Sequence, residues 1–154
     1  MTMTTPSEPD SSTPAAQRDA LLAELNTLLE AERAGARVAL ETGRALADAR
    51  LAQLVEHVRQ DEVRWCGMLL HAIRALDTTP TSQTGAFYGK AMAIADLEQR
   101  LVFLNRGQAW VVRKLKELLQ RPLPDPLRAD LSAMLAAHES NIGLVQDALP
   151  SQSS

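Results

Sequence analysis

The stretch from Leu51 to Leu76 has a hydrophobic pattern that predicts a helix packed inside a bundle. Large or apolar side chains recur along it at alternating intervals of four and three residues, which is the seam spacing of a bundled helix. The one acid on this seam is Glu62. A carboxylate among apolar neighbours loses its hydration, so it must be hydrogen-bonded, paired, protonated or bound to a metal. The seam residues are Leu51, Val55, Val58, Glu62, Trp65, Leu69, Ala72 and Leu76.

Three other segments carry a similar seam, and each has one polar residue in its middle. These residues are Glu32 in the first predicted helix, Gln108 in the third and His138 in the fourth. The segments are separated by stretches typical of turns and connections, of which 77–85 and the proline-rich 121–126 are the clearest. The sequence therefore predicts four helices with one polar seam position in each.

The spacing of these positions predicts that they meet in one layer. Glu32 and Glu62 are thirty residues apart, and so are Gln108 and His138. The midpoint of each pair falls in a predicted turn, and residues equidistant from the turn of an antiparallel hairpin lie at the same height. The chain is therefore interpreted as two helical hairpins of equal size, each with a polar pair at one level.

Two connections between the hairpins are possible. A simple up-down-up-down bundle would pair Glu62 with Glu98 and would leave Gln108 and His138 about 15 Å away along the axis. A long crossover over 77–88 would make the second and third helices parallel and would keep all four polar residues in one layer. We favour the crossover, because Glu98 lies beside its seam and not on it.

The predicted domain spans residues 13–149, between an N-terminal tail over 1–12 that is expected to be disordered and a C-terminal tail over 150–154. Thr13, followed by Pro14, is predicted to begin the first helix, and Asp48 the second.

Composition narrows the class of protein. Hydrophobic residues make up 45% of the 154 residues and aromatic residues only 3%, which favours a folded, helical chain. A net charge of −3 gives no electrostatic reason to expect nucleic acid or an anionic membrane as a partner. No apolar run is long enough to span a bilayer, and the N-terminus lacks the pattern of a signal peptide. The single cysteine, Cys66, excludes an intramolecular disulfide and suits a reducing compartment, so a cytoplasmic protein is expected.

Two hairpins joined by a crossover, with a polar residue in the middle of each helix, resemble the ferritin-like superfamily, especially rubrerythrin-type bundles. The resemblance covers 14–149. It implies a metal site built from a Glu on each of two helices and a Glu-x-x-His pair on each of the other two.

The match to that ligand pattern is partial. Glu32 fits the glutamate of the first helix, and Glu62 fits the glutamate of the second-helix motif, where Trp65 takes the place of the histidine. Gln108 occupies the glutamate position of the third helix. His138 is level with the glutamate of the fourth helix, and an asparagine follows at the histidine position. The resemblance thus implies a reduced metal site, either mononuclear or vestigial.

Two hypotheses follow for the polar layer. In the first, one divalent metal ion (Mn, Fe or Zn) is bound by Glu32, Glu62 and His138, with Gln108 as a weak oxygen ligand. In the second, no metal is present: His138 is cationic between the two glutamates, Gln108 supplies amide hydrogen bonds, and the layer fixes the register of the helices. That metal-free bundle would act as a homodimeric or partner-binding module.

A separate prediction concerns the outer face of the third helix. Phe103 and Trp110 lie on a face that would otherwise be solvated, which indicates a covered surface. Either the crossover, with Phe87 and Tyr88, folds over them, or they form the interface of a homodimer.

Overall fold

The computed structural model describes residues 13–149, and within that range it contains five α-helices and no β-strand. The prediction of an all-α fold is confirmed. Four of the helices are long, and a fifth, short helix lies in the connection between the two hairpins. The predicted tails, 1–12 and 150–154, lie outside the described residues. The helices are α1 Pro14–Ala45, α2 Ala49–Ala75, α3 Phe87–Met92, α4 Leu97–Leu118 and α5 Asp125–Ala148.

Three of the long helices begin at a side chain that caps the free backbone N–H groups of the first turn. The Thr13 hydroxyl accepts a hydrogen bond from Ala16 N at 3.1 Å. The Asp48 carboxylate accepts from Arg50 N at 2.9 Å, and Asp96 caps α4 in the same way. The predicted starts of the first two helices are thus confirmed.

Two clusters of apolar side chains fill the interior, one at each end of the bundle. The first joins the N-terminal halves of α1 and α5 to the C-terminal halves of α2 and α4, and the second joins the opposite halves. Because α2 and α4 both pass from the second cluster to the first, these two helices run parallel. The first cluster contains Leu25, Leu28, Leu29, Trp65, Leu69, Ile73, Val111, Leu115, Leu118, Leu127, Leu131 and Met134. The second contains Val38, Ala39, Val55, Val58, Ala91, Leu101, Leu104, Val145 and Leu149.

The long helices form a ring in which α1 packs on α2 and α4, and α5 packs on the same two helices. Each helix buries one apolar face, as its seam predicts. None of the helices within residues 13–149 combines the length and apolar character that a membrane span requires.

The segment 76–96 leads the chain back along the bundle and is fastened to it by side chains of α1 and α4. Asn26 accepts a hydrogen bond from Thr81 N at 2.8 Å, and the Arg33 guanidinium donates to the carbonyl oxygen of Thr81 at 2.5 Å. At the other end, the buried Arg100 guanidinium donates twice to the carbonyl oxygen of Ile94, at 3.0 and 2.8 Å. These contacts hold the crossover against the bundle at both ends.

The first aromatic residue of α3 covers part of the outer face of α4. The Phe87 ring stacks on the Phe103 ring, with a centroid separation of 4.9 Å and an interplanar angle of 7°. Gly107 makes room for it, because a Cβ at that position would lie 2.7 Å from Phe87 Cζ. Phe103 is therefore covered within the chain, whereas the predicted homodimer through Phe103 and Trp110 stays a prediction.

Candidate functional site

The four polar residues singled out by the sequence come from the four long helices and are all buried. Glu32 and His138 are 2% exposed, and Glu62 and Gln108 are 3% exposed. Along each helix the polar residue lies between the residues of the first apolar cluster and those of the second. All four also line one cavity. The structure therefore brings them together in one layer across the middle of the bundle.

Glu32 and His138 form a direct pair inside this layer. His138 Nε2 lies 2.7 Å from Glu32 Oε1, and His138 Nδ1 lies 2.9 Å from the carbonyl oxygen of Met134. A carbonyl oxygen only accepts hydrogen bonds, so Nδ1 carries a proton. The contact with Glu32 needs one more proton, which resides either on Nε2 or on the carboxyl group.

The surroundings of His138 decide where that second proton resides. Burial lowers the pKa of His138, but the charge and hydrogen bond of Glu32 and the bond to Met134 outweigh it, and the pKa is raised overall. Asp61 adds a smaller effect in the same direction. These surroundings favour the proton on Nε2, which makes the contact an ion pair between an imidazolium and Glu32.

Glu62 is held in a different protonation state. Burial, followed by the negative charges of Glu32 and Asp61, raises the pKa of Glu62 well above its usual range. These effects favour the neutral acid form of the Glu62 side chain. If Glu62 holds a proton and His138 is an imidazolium paired with Glu32, the layer carries no net charge.

The Glu62 carboxyl group lies against the backbone of α1 at Gly35. A Cβ built on Gly35 would be 2.3 Å from Glu62 Oε2 and 2.8 Å from the carboxyl carbon. No side chain fits at that position without displacing the acid. Gly35 is thus part of the site, because its missing side chain creates the space that Glu62 occupies.

Three oxygen atoms of the layer have no hydrogen-bond partner within the described part of the chain, although they are shielded from solvent. They are Glu32 Oε2, Glu62 Oε2 and Gln108 Oε1. The Gln108 amide nitrogen donates a long bond of 3.4 Å to Asn105 Oδ1, and no hydrogen bond joins it to either glutamate within the described residues. Buried oxygen atoms without partners are costly, and each calls for a ligand or a proton donor.

The residues that carry these oxygen atoms line a cavity of about 480 Å³. The cavity lies between α1 and α4 and beneath residues 84–87 of the crossover. Its walls are largely apolar and include the Phe87, Phe103 and Trp110 side chains. A volume of this size matches the pockets that hold small organic molecules in proteins.

A second group of polar contacts flanks the layer, and the sequence did not predict it. Asn141 Nδ2 donates to Asp61 Oδ2 at 2.9 Å, and His57 Nε2 lies 3.4 Å from the same oxygen. Asp61 directly precedes Glu62 along the chain, and Asn141 lies three residues after His138. The signal that could have found this contact is that Asn141 lies on the α5 seam, one turn after His138.

Trp65 occupies the place of the second-helix histidine in the ferritin-like pattern and gives no ligand atom. It is 3% exposed and belongs to the first apolar cluster, and its indole N–H has no partner within the described residues. Cys66 beside it has its pKa raised to about 12 by burial and by the charges of Glu32 and Glu62. A thiol with that pKa is a poor metal ligand at neutral pH.

The ligand atoms are not gathered around a preformed metal position. Within residues 13–149, no group of three or more His, Cys, Asp or Glu side chains is arranged so that it could hold a metal ion. Glu32 and His138 are instead bonded to each other, which uses one donor atom of each.

Comparison with known proteins identifies a family without assigning an activity. A family model described as "Domain of unknown function (DUF6306)" matches residues 19–147. Neither a curated protein nor a solved structure gives a significant match.

Proposed function

The chain belongs to this DUF6306 family, and we propose that it is a ferritin-like bundle protein whose polar layer takes up one divalent metal ion in exchange for protons. The proposed ligands are Glu32, Glu62 and His138, with Gln108 as a weaker fourth. The observation that carries the proposal is the set of three buried oxygen atoms without partners, contributed by three helices to one cavity.

The donor set suits a divalent ion of the first transition series. Two carboxylates, one imidazole and one amide oxygen form a mixed nitrogen and oxygen environment of the kind that Mn, Fe or Zn accepts. The hydrogen bond from His138 Nδ1 to Met134 fixes the ring so that Nε2 is directed at Glu32. A bond at the second ring nitrogen is the usual way in which a ligating histidine is oriented.

Charge balance supports an exchange of protons for metal. In the metal-free layer, Glu62 holds one proton and the His138 imidazolium holds another on Nε2. Both side chains must lose these protons to become ligands. Two positive charges leave and two arrive, so the buried layer stays neutral, and a large cost of burying net charge is avoided.

Uptake also requires the Glu32–His138 bond to open, which accounts for the absence of a preformed three-ligand cluster within the described residues. The cavity beside the layer leaves space for these side chains to turn. Metal-free and metal-bound states therefore differ in side-chain rotamers, while the helices keep their packing.

The test is retention of metal by purified protein. The protein is incubated with Mn(II), Fe(II) or Zn(II), desalted and assayed by elemental analysis, and about one equivalent is expected to remain for the preferred ion. Glu62→Gln, which keeps the shape of the neutral acid, is expected to lower the affinity at least tenfold. Glu139→Gln removes an exposed acid next to His138 and is expected to bind like the wild type. A wild-type protein that retains none of the three ions contradicts the proposal.

One observation favours a second candidate function. The Glu32–His138 pair is short and buried, and it already satisfies one oxygen of Glu32 and both ring nitrogens. A closed pair of this kind serves equally as a structural layer that sets the register of the four helices in a metal-free, partner-binding module. In that case Glu62→Gln leaves the metal content at zero and changes only stability.

A further inference from the structure

The cavity extends from the polar layer to the surface, and its outer part has a different chemistry from its floor. We propose that this outer part binds a small organic acid, a molecule with an apolar, aromatic-sized body and one carboxylate. This site differs from the proposed metal site, because the aromatic walls and the cationic mouth of the cavity bind the ligand and the layer residues form only its floor.

The walls define the body of the ligand. Phe103 and Trp110 project from α4 into the cavity wall, and Phe87 of the crossover completes it by stacking on Phe103. Ala31 presents only a methyl group to the cavity, which leaves volume open, while the missing side chain of Gly107 gives the Phe87 ring its place in the wall. Aromatic walls of this kind favour flat or elongated apolar groups, which stack against the rings and leave water.

The mouth defines the charge of the ligand. Arg106 and Arg113 line the cavity from the exposed side of α4, and neither guanidinium forms an ion pair or hydrogen bond within residues 13–149. Glu30 also lines the cavity, and its carboxylate accepts a hydrogen bond from the Thr81 hydroxyl at 2.9 Å. Lys114 lies outside the cavity lining and is paired with Glu117 at 3.8 Å, so the positive charge at the mouth comes from the two arginines. The mouth is therefore cationic and its guanidiniums are available to an anion.

The floor fixes the orientation of the ligand. Its atoms without a partner within the described residues are oxygen atoms of Glu32, Glu62 and Gln108, and the His138 ring is already bonded to Glu32, so the floor offers a carboxylate no free counter-ion. The body of the ligand is thus directed inward along the aromatic wall, and its carboxylate stays at the arginines. An amine would prefer the opposite orientation, with its head on the floor.

Three probes that share a phenylbutyl group and differ in their terminal group distinguish an anionic ligand from a cationic or an uncharged one. They are 4-phenylbutanoate, 4-phenylbutylamine and 4-phenylbutan-1-ol. Each is titrated into the full chain by calorimetry in the presence of a chelator, so that the result does not depend on metal binding. We expect a single site and an affinity for the acid at least tenfold above that for the alcohol or the amine. Equal or tighter binding of the amine or of the alcohol overturns the proposal, and so does the absence of binding by all three.

Two sets of variants locate the site. The double variant Arg106→Gln, Arg113→Gln is expected to lose at least tenfold in affinity for the acid and to bind the alcohol as before. Its matched control, Arg50→Gln with Arg121→Gln, changes two exposed arginines outside the cavity and is expected to have no effect. Ala31→Leu fills the cavity and should abolish binding of all three probes, with its fold checked by circular dichroism. Unchanged binding of the acid by the Arg106/Arg113 variant contradicts the proposal.

Discussion

Gly35 shows most directly how a single residue shapes this site. Its α-carbon faces the Glu62 carboxyl group so closely that even a methyl group would collide with it. Gly35→Ala gains helix propensity, worth about 1 kcal/mol, but overpacks a buried acid, which typically costs about 1–3 kcal/mol. We expect a net loss in the free energy of unfolding, measured by urea denaturation.

Gly67→Ala is the matched control for this substitution. Gly67 also lies within a long helix, and a Cβ there would meet nothing within 4 Å. That variant is expected to be stabilised by up to about 1 kcal/mol. In a Glu62→Ala background the penalty of Gly35→Ala should disappear, and a penalty that persists there would show that the collision is not its cause.

The Glu32–His138 pair leads to a prediction of coupling. Removing one partner of a buried ion pair leaves the other unpaired, which costs about 3–5 kcal/mol. We expect Glu32→Leu and His138→Leu each to be destabilising by about that amount, and the double variant to be less destabilised than the sum. A double-mutant cycle from urea unfolding measures the difference, and additive effects would contradict the pairing.

For individual residues, the sequence predicts which four side chains form the layer but not which atoms each of them contacts. The period of the apolar pattern gives the face and the height of a side chain, so Glu32, Glu62, Gln108 and His138 could be identified. It does not give rotamers or the distance between helices. The pairing of His138 with Glu32 alone, and the role of Gly35, therefore depend on three-dimensional contacts.

The position of the crossover depends on polar contacts between its backbone and side chains of the bundle. Arg33 donates to the carbonyl oxygens of Thr81 and Gln83 across 2.5 and 3.2 Å. We expect Arg33→Ala to increase amide hydrogen exchange within 78–87 with little change in α1 and α2, because local opening needs fewer contacts to break than global unfolding. Exposed Arg74, changed to Ala, is the control. Uniform protection of 78–87 in both variants would show that other contacts hold the segment.

The helices themselves follow from the sequence more fully than the connection does. Alternating intervals of three and four residues predict the long helices, and the proline-rich turn before α5 predicts a boundary. The short helix Phe87–Met92 is not separated from α4 by any such signal, since only a brief break at residues 93–96 lies between them. Its position is set by the stacking of Phe87 on Phe103, which is a tertiary contact.

For the molecule as a whole, the neutral layer predicts an unusual dependence of stability on pH. Glu62 and His138 both have a raised pKa in the folded state. Between its unfolded and folded pKa, each group binds more protons when folded, so stability decreases as pH rises, by about 1.4 kcal/mol per pH unit and per proton. We therefore expect the metal-free protein to lose stability as the pH rises, through Glu62 above its ordinary pKa of 4.5 and through His138 above its ordinary pKa of 6.5.

Urea unfolding at several pH values in chelator tests this expectation. Near pH 5.5 the decrease comes mainly from Glu62, because a histidine with an ordinary pKa of 6.5 is still largely protonated in both states there, so Glu62→Gln should flatten the slope around that pH. Above pH 6.5 the contribution of His138 should remain in that variant. Stability that is constant or rises from pH 5.5 to 6.5 would show that the layer does not hold these protons.

Two protons are expected to leave the polar layer when a divalent ion enters it. Calorimetric titration of the preferred ion at pH 6.0, in buffers of different ionisation enthalpy, counts the protons released for each ion bound. We expect about two protons to be released for the wild type and about one for Glu62→Gln. Binding that releases no protons, or an affinity for the ion that is the same in the wild type and in Glu62→Gln, would contradict this exchange of protons for metal.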